Sequence, residues 1–191
     1  MANGLHYLHS CNIIHGDLKA VSCVFPFSES VLIPTNSKSN VLVDGDGRAR
    51  LTDFGLSSIV RVDGSLASPQ DYTGMHATAW AAPEILHGNL PSKEGDIFTF
   101  AMVVVEVCIR GVPSRSSRFL TSPALGQTFT GESPFSTDIH TATLDILNGK
   151  RPERPTTLDN EELWKIMKRC WSEGPGERPT AFQLLEFFRV S

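Results

Sequence analysis

Along this 191-residue chain, side chains able to handle protons, hard cations and phosphate oxygens recur in a definite order. His15-Gly16-Asp17-Leu18-Lys19 comes first, followed by Ser39-Asn40, Asp53-Phe54-Gly55 and Ala82-Pro83-Glu84. A carboxylate can take the proton of an alcohol. Carboxylate and amide oxygens are also the ligands that a hard cation accepts. A lysine nearby balances negative charge. No single motif is specific: Asp, Phe and Gly in a row are common in turns, and Asp44 and Asp46 read as turn residues. The order carries the argument.

Elements must bring these groups together. Ala2 to His9 puts Leu5, Leu8 and His9 on one helical side, so the chain opens inside a helix. A domain rarely starts mid-helix without a cap, which points to further sequence upstream. Ile13-Ile14 leads into the first motif. Val41 to Val43, the turn Asp44-Gly45-Asp46-Gly47 and Arg48 to Thr52 predict a β-hairpin, with Asp-Gly supplying the positive φ. Gly64 to Gly74 reads as a loop. Lys93 to Val107 is apolar on nearly every face, which predicts a buried axial helix. Further helices are expected at Thr137 to Leu147, Asn160 to Cys170 and Thr180 to Arg189, with Thr180 placed to cap the last. His6 and His9 are expected on a solvated helix face, and Trp80 and Trp164 in the core. One hairpin followed by helices gives a mainly α (α+β) domain.

Composition bounds the partners. Lys and Arg total 17 against 21 Asp and Glu, a net charge of −4 with a pI near 5.8. Without clustered basic residues, no nucleic-acid partner is expected. No uncharged apolar run reaches the roughly 18 residues of a membrane span. The first twenty residues show no basic region followed by an apolar stretch, so no secretory signal is expected. Four cysteines, at 11, 23, 108 and 170, lack metal-site spacing and read as the reduced thiols of a cytoplasmic protein. Nothing in the sequence fixes an oligomeric state.

Taken in order, the motifs resemble the eukaryotic protein kinases, specifically their C-terminal, catalytic lobe. Gly95-Asp96-Ile97-Phe98, Cys170-Trp171 and Arg178-Pro179 extend the likeness. Trp80 ahead of Ala82-Pro83-Glu84, together with Cys170-Trp171, is similar to the tyrosine-kinase-like group. Lys19, two residues after Asp17, matches the serine/threonine form of the catalytic loop. The resemblance implies ATP and Mg²⁺ as cofactors and Ser or Thr hydroxyls of a protein as acceptors. It implies Asp17 as the base, Lys19 beside the moving phosphoryl group, and Asn40 and Asp53 as metal ligands. His15 and Phe54, the latter followed by Gly55, would pack beneath the site. Asp96 would hydrogen-bond the catalytic-loop backbone, and Glu84 would pair with Arg178. No G-x-G-x-x-G precedes position 15, so the N-terminal lobe reads as absent. Little activity is therefore expected of these residues alone. Two alternatives fit less of the chain: a pseudokinase-like scaffold, and a small-molecule phosphotransferase of the aminoglycoside or choline kinase kind, which also uses His-Gly-Asp.

Three departures from the pattern matter. Gly16 stands where an arginine is usual, so a phosphate on the activation segment would lack its usual partner. Ala77 stands where a threonine is frequent. The third concerns spacing: the family places the metal-binding Asn five positions after the base, yet Ser22 stands five after Asp17. Removing 21–38 restores the spacing, and removing 107–127 restores an uninterrupted helix end. Each piece begins with Val, whose codons start with GT, and ends with Lys or Gln, which have codons ending in AG. Both pieces therefore read as short retained introns translated in frame, with true loop insertion as the alternative. As protein, 21–38 is expected either to displace Asn40 or to cover the cleft.

Overall fold

A computed structural model of the chain describes residues 1–18, 21–23, 40–43, 49–52, 57–59, 79–110 and 139–190. Helix α1 (Ala2–Ser10) buries Ala2, Leu5, Leu8 and His9, the side that its apolar spacing marks. His9 is thus inside, not on a solvated face as expected. The helix is capped at Cys11, and the next residue, Asn12, takes the left-handed backbone (φ 57°) that asparagine tolerates. The chain then runs through β1 (Ile13–Ile14) into the first motif.

Two small sheets follow. Strand β1 pairs antiparallel with β5 (Ser58–Ile59), with Ile13 opposite Ile59. The expected hairpin is β3 (Val41–Val43) against β4 (Ala49–Leu51), with Val41 opposite Leu51. Its turn lies outside the described residues. A third strand, β2 (Val21–Cys23), joins β3 in parallel, with Val21 opposite Val41. The sequence of 21–38 reads as an irregular stretch, and the structure corrects this at Val21 to Cys23. The correction has a physical basis: Val21 to Cys23 is short and β-compatible, and a long return of chain permits the parallel approach.

The centre belongs to α3 (Lys93–Arg110), which follows the short α2 (Pro83–Leu86). Ile97, Phe98, Phe100, Ala101, Met102, Val103 and Val105 are all buried, as an all-round apolar helix requires. Around it lie α4 (Ile139–Leu147), α5 (Glu161–Cys170) and α6 (Ala181–Val190), with α6 also packed on α1. Met167 and Leu184 meet the α3 side chains in one core. Burying each such side chain is worth about 1.5–3 kcal/mol.

Two caps set helix starts. The Asn160 side chain accepts from Leu163 N–H at 2.9 Å, so α5 begins one residue later than its pattern suggests. At α6, Thr180 Oγ1 accepts from Gln183 N–H while Gln183 Oε1 accepts from Thr180 N–H, a reciprocal capping box. Trp80 is buried, and Trp164 packs edge-on against Trp171 at 5.6 Å. Among the described residues, no helix is long and apolar enough to cross a membrane.

Candidate active site

The first motif is held from below by α3. Ser92 Oγ accepts from Gly95 N–H at 2.9 Å and starts the helix, which places Asp96 in its first turn. A carboxylate is stabilised there by the helix dipole. Asp96 is buried, and its oxygens face the loop: Oδ2 accepts from His15 N–H and Oδ1 from Gly16 N–H, each at 2.9 Å. Gly16 bends the chain with φ 77°, a conformation open to glycine without steric cost.

The turn delivers Asp17 into a buried position. Asn40, wholly buried, meets it from the other side of the long excursion. Asn40 Nδ2 donates to Asp17 Oδ2 at 2.8 Å and also to the Asp17 backbone carbonyl. Asn40 thus meets Asp17 despite the excursion, and the alternative expectation, that 21–38 covers the cleft, falls largely outside the described residues. Strand β2 brings the entering chain beside β3 just where the excursion returns, so its base is closed.

His15 is buried beneath. Its Nε2 lies 3.2 Å from the Thr52 carbonyl, and Asp17 N–H points at Nδ1 at 3.4 Å. The carbonyl only accepts, so Nε2 carries the ring proton and Nδ1 is the acceptor. Thr52 N–H in turn donates to the Asn40 carbonyl at 2.9 Å. The backbone just before Asp53 is thus bound to both halves of the site. Lys19, Asp53, Phe54 and Gly55 lie outside the described residues, as does Ala77.

A second anchor braces the far side. Arg178 Nη1 and Nη2 donate to Glu84 Oε1 and Oε2 at 2.6 and 2.8 Å, a two-pronged pair. The same guanidinium donates to the carbonyls of Glu94 and Ser172, and it lies 5.2 Å from the Phe98 ring centre. Removing one partner of such a buried pair costs about 3–5 kcal/mol, because the other is left uncompensated. Trp80 Nε1 donates to buried Glu106 Oε2 at 2.9 Å, tying the chain ahead of Ala82-Pro83-Glu84 to α3. The sequence reading missed Glu106 as a functional neighbour. Its signal was there: one acid following the apolar run Met102 to Val105.

A cleft opens beside Asp17, bordered by Gly16, Ala82, Ile85, Ser92 and Thr99. Asp17 and the Asp96 carboxylate that anchors its loop both line this cleft. Among the described residues, no group of three His, Cys, Asp or Glu could hold a metal. Burial pushes the Cys170 thiol up to about 12 and raises that of Cys108 as well.

A family model described as protein tyrosine and serine/threonine kinase matches residues 37–188. The chain belongs to this family. The mainly helical architecture with its small hairpin is that of the C-terminal lobe of the kinase fold. Similar proteins include atrial natriuretic peptide receptor 2 of Rattus norvegicus, 30% identical over 199 aligned residues that cover 99% of this chain and 15% of the receptor. Retinal guanylyl cyclase 2 of Homo sapiens is 26% identical over 194, covering 100% of the chain and 14% of the cyclase. A Dictyostelium discoideum protein named "Probable serine/threonine-protein kinase" is 27% identical over 188, covering 97% and 16%. This kinase chain thus spans roughly one-seventh to one-sixth of the length of these curated relatives. The family match begins at residue 37, near the end of the 21–38 excursion, while the alignments to relatives take in nearly the whole chain.

Proposed function

We propose that this chain is the catalytic lobe of a serine/threonine protein kinase of the tyrosine-kinase-like group, moving the γ-phosphoryl of ATP to a protein hydroxyl. The observation that carries the reading is the Asp17–Asn40 junction. Asn40 spends its amide hydrogens on Asp17, and among the described residues its buried Oδ1 has no hydrogen-bond partner. A buried amide oxygen left over in this way fits a hard cation, which takes oxygen ligands of this kind. Asn40 and Asp53 would hold Mg²⁺, which supplies charge neutralisation to the phosphates when bound.

The chain's own residues do the rest. Asp17, held at Oδ2 by Asn40, takes the proton from an acceptor hydroxyl seated in the cleft between Gly16 and Thr99. Lys19 balances charge on the phosphoryl group. The anchoring of His15 and Gly16 by Asp96 keeps that carboxylate from drifting, and a displacement of about 1 Å can cost on the order of a hundredfold in rate. The serine/threonine assignment draws on Lys19, and the group on Trp80 and Cys170-Trp171. With no glycine-rich phosphate loop before position 15, these 191 residues bind ATP weakly and turn over slowly by themselves.

The test is Mg-ATP calorimetry, together with phosphate transfer to a mixed peptide library. The expected result is weak nucleotide binding lost in Asp53→Ala, and slow labelling of Ser and Thr lost in Asp17→Asn. Binding indifferent to Asp53, or phosphate appearing only on small alcohols, would refute the reading.

A further inference from the structure

Every polar group of His15 is engaged. Its N–H donates to Asp96 Oδ2 at 2.9 Å, and its ring meets the Thr52 carbonyl through Nε2 and Asp17 N–H through Nδ1. Asp96 is itself bound by His9 Nε2 at 2.8 Å. The His15 carbonyl accepts from the Ser57 hydroxyl, with Oγ 3.2 Å away. Ser57 thus reaches a residue already held from three other directions. Its place follows from register. Strands β1 and β5 pair Ile13 with Ile59 and Ile14 with Ser58, so the next step of the ladder sets His15 opposite Ser57. The two-residue strands end there, and the half-buried Ser57 continues the pairing from its side chain.

We propose that the Ser57 hydroxyl is a latch holding the segment after Asp53-Phe54-Gly55 against the catalytic loop, and that a phosphate placed on this hydroxyl opens the latch. The chemistry gives the reason. A carbonyl only accepts, so the bond depends on the hydroxyl's own hydrogen. Phosphorylation removes that hydrogen: a bond forms between Oγ and the γ-phosphorus of ATP, the β–γ anhydride bond breaks, ADP leaves, and the hydroxyl proton is released. The ester then presents only acceptor oxygens to the carbonyl and adds a charge of about −1.5 to −2. The surroundings do not welcome it. Asp17 and Asp96 already place two buried carboxyl groups around this turn, and Gly16 has no side chain to offset them. Strands of two residues pair too weakly to hold the segment without help. A phosphate at Ser57 therefore loosens the loop that carries Asp17. The latch stands on its own geometry; its value as an off-switch for phosphoryl transfer rests on the kinase reading above.

The test is amide hydrogen exchange on the full 191-residue chain without nucleotide, read at His15 and Gly16, whose N–H groups are bonded to Asp96. Ser57→Ala removes the hydroxyl, Ser57→Thr keeps it, and a third chain carries phosphoserine at position 57. In Ser57→Ala, exchange at both amides should rise about threefold to tenfold, the worth of one neutral hydrogen bond. Amides of α5 and α6 should hold their native rates, since local opening is separable from global unfolding. Ser57→Thr should stay within about twofold of native, and phosphoserine should exceed Ser57→Ala, reaching at least about tenfold. Unchanged exchange in Ser57→Ala overturns the proposal, as does equal acceleration in Ser57→Thr or native protection in the phosphoserine chain. If Ser57→Ala loosens α5 and α6 as well, Ser57→Thr decides: native protection supports the hydroxyl's role, and lost protection refutes it. Failure of the kinase reading would look different, with phosphate transfer indifferent to Asp17 and the exchange pattern intact.

Discussion

Gly16 illustrates how one residue sets the geometry of a site. Its φ of 77° turns the chain so that consecutive amides, of His15 and Gly16, meet the two oxygens of one carboxylate. A side chain at that φ crowds its own carbonyl, costing about 1–2 kcal/mol. Gly16→Ala should therefore lower unfolding stability by about that amount, read from the urea midpoint, with the slope unchanged. A stability equal to that of the native chain would mean that the turn relaxes to another backbone conformation. At this scale the sequence was informative where a motif named the residue. Glu84 and Arg178, 94 positions apart, stand out by their places in the motif order, and they meet in a two-pronged pair. It was less informative about His9 and Glu106. Periodicity reports which face of a helix is buried, not which polar group on that face finds a distant partner.

At the scale of elements, local rules account for most of the boundaries. The apolar spacing of α1 and the all-round apolar character of α3 dictate which sides are buried, and the buried residues follow them. Caps set the starts of α5 and α6 one residue past Asn160 and Thr180 because a capping residue stands outside the helix it begins. The capping box of α6 also satisfies two backbone groups by reciprocal bonds. Thr180→Ala should cost about 1 kcal/mol in thermal or urea unfolding, and Thr180→Ser should recover most of it. A Thr180→Ser variant as weak as Thr180→Ala would show that the hydroxyl is not what holds α6. Strand β2 was not legible. A parallel pair depends on where a distant strand lies, and three residues carry too little pattern to announce it.

For the whole molecule, the 21–38 excursion is the feature that the architecture must absorb. It leaves the catalytic loop after Asp17 and Leu18 and returns at Asn40, yet the Asp17–Asn40 contacts are made. The parallel pairing of β2 with β3 explains this, because the outgoing and returning chains lie side by side and the site sees a closed base. A segment joined in this way is separable from the lobe that carries it. Deleting Val21 to Lys38 joins Ala20 to Ser39, restores the five-residue spacing of the family, and shortens the link between Leu18 and Asn40 sevenfold. Loop-closure entropy then favours the shortened chain by roughly 1.7 kcal/mol, set against the loss of a three-residue strand pair at a sheet edge. The deletion variant should therefore melt at the native temperature or a few degrees above it, since about 1 kcal/mol moves the midpoint by about 2–4 °C in a chain of this size. It should also keep slow exchange at His15 and Gly16. Messenger RNA read across the two boundaries should include spliced messages that lack the segment, as an intron requires. A melting point lowered by more than about 4 °C would make β2 an integral strand of the lobe. Transcripts that uniformly keep the segment would make it coding sequence, its parallel strand then a fixed part of this kinase's architecture.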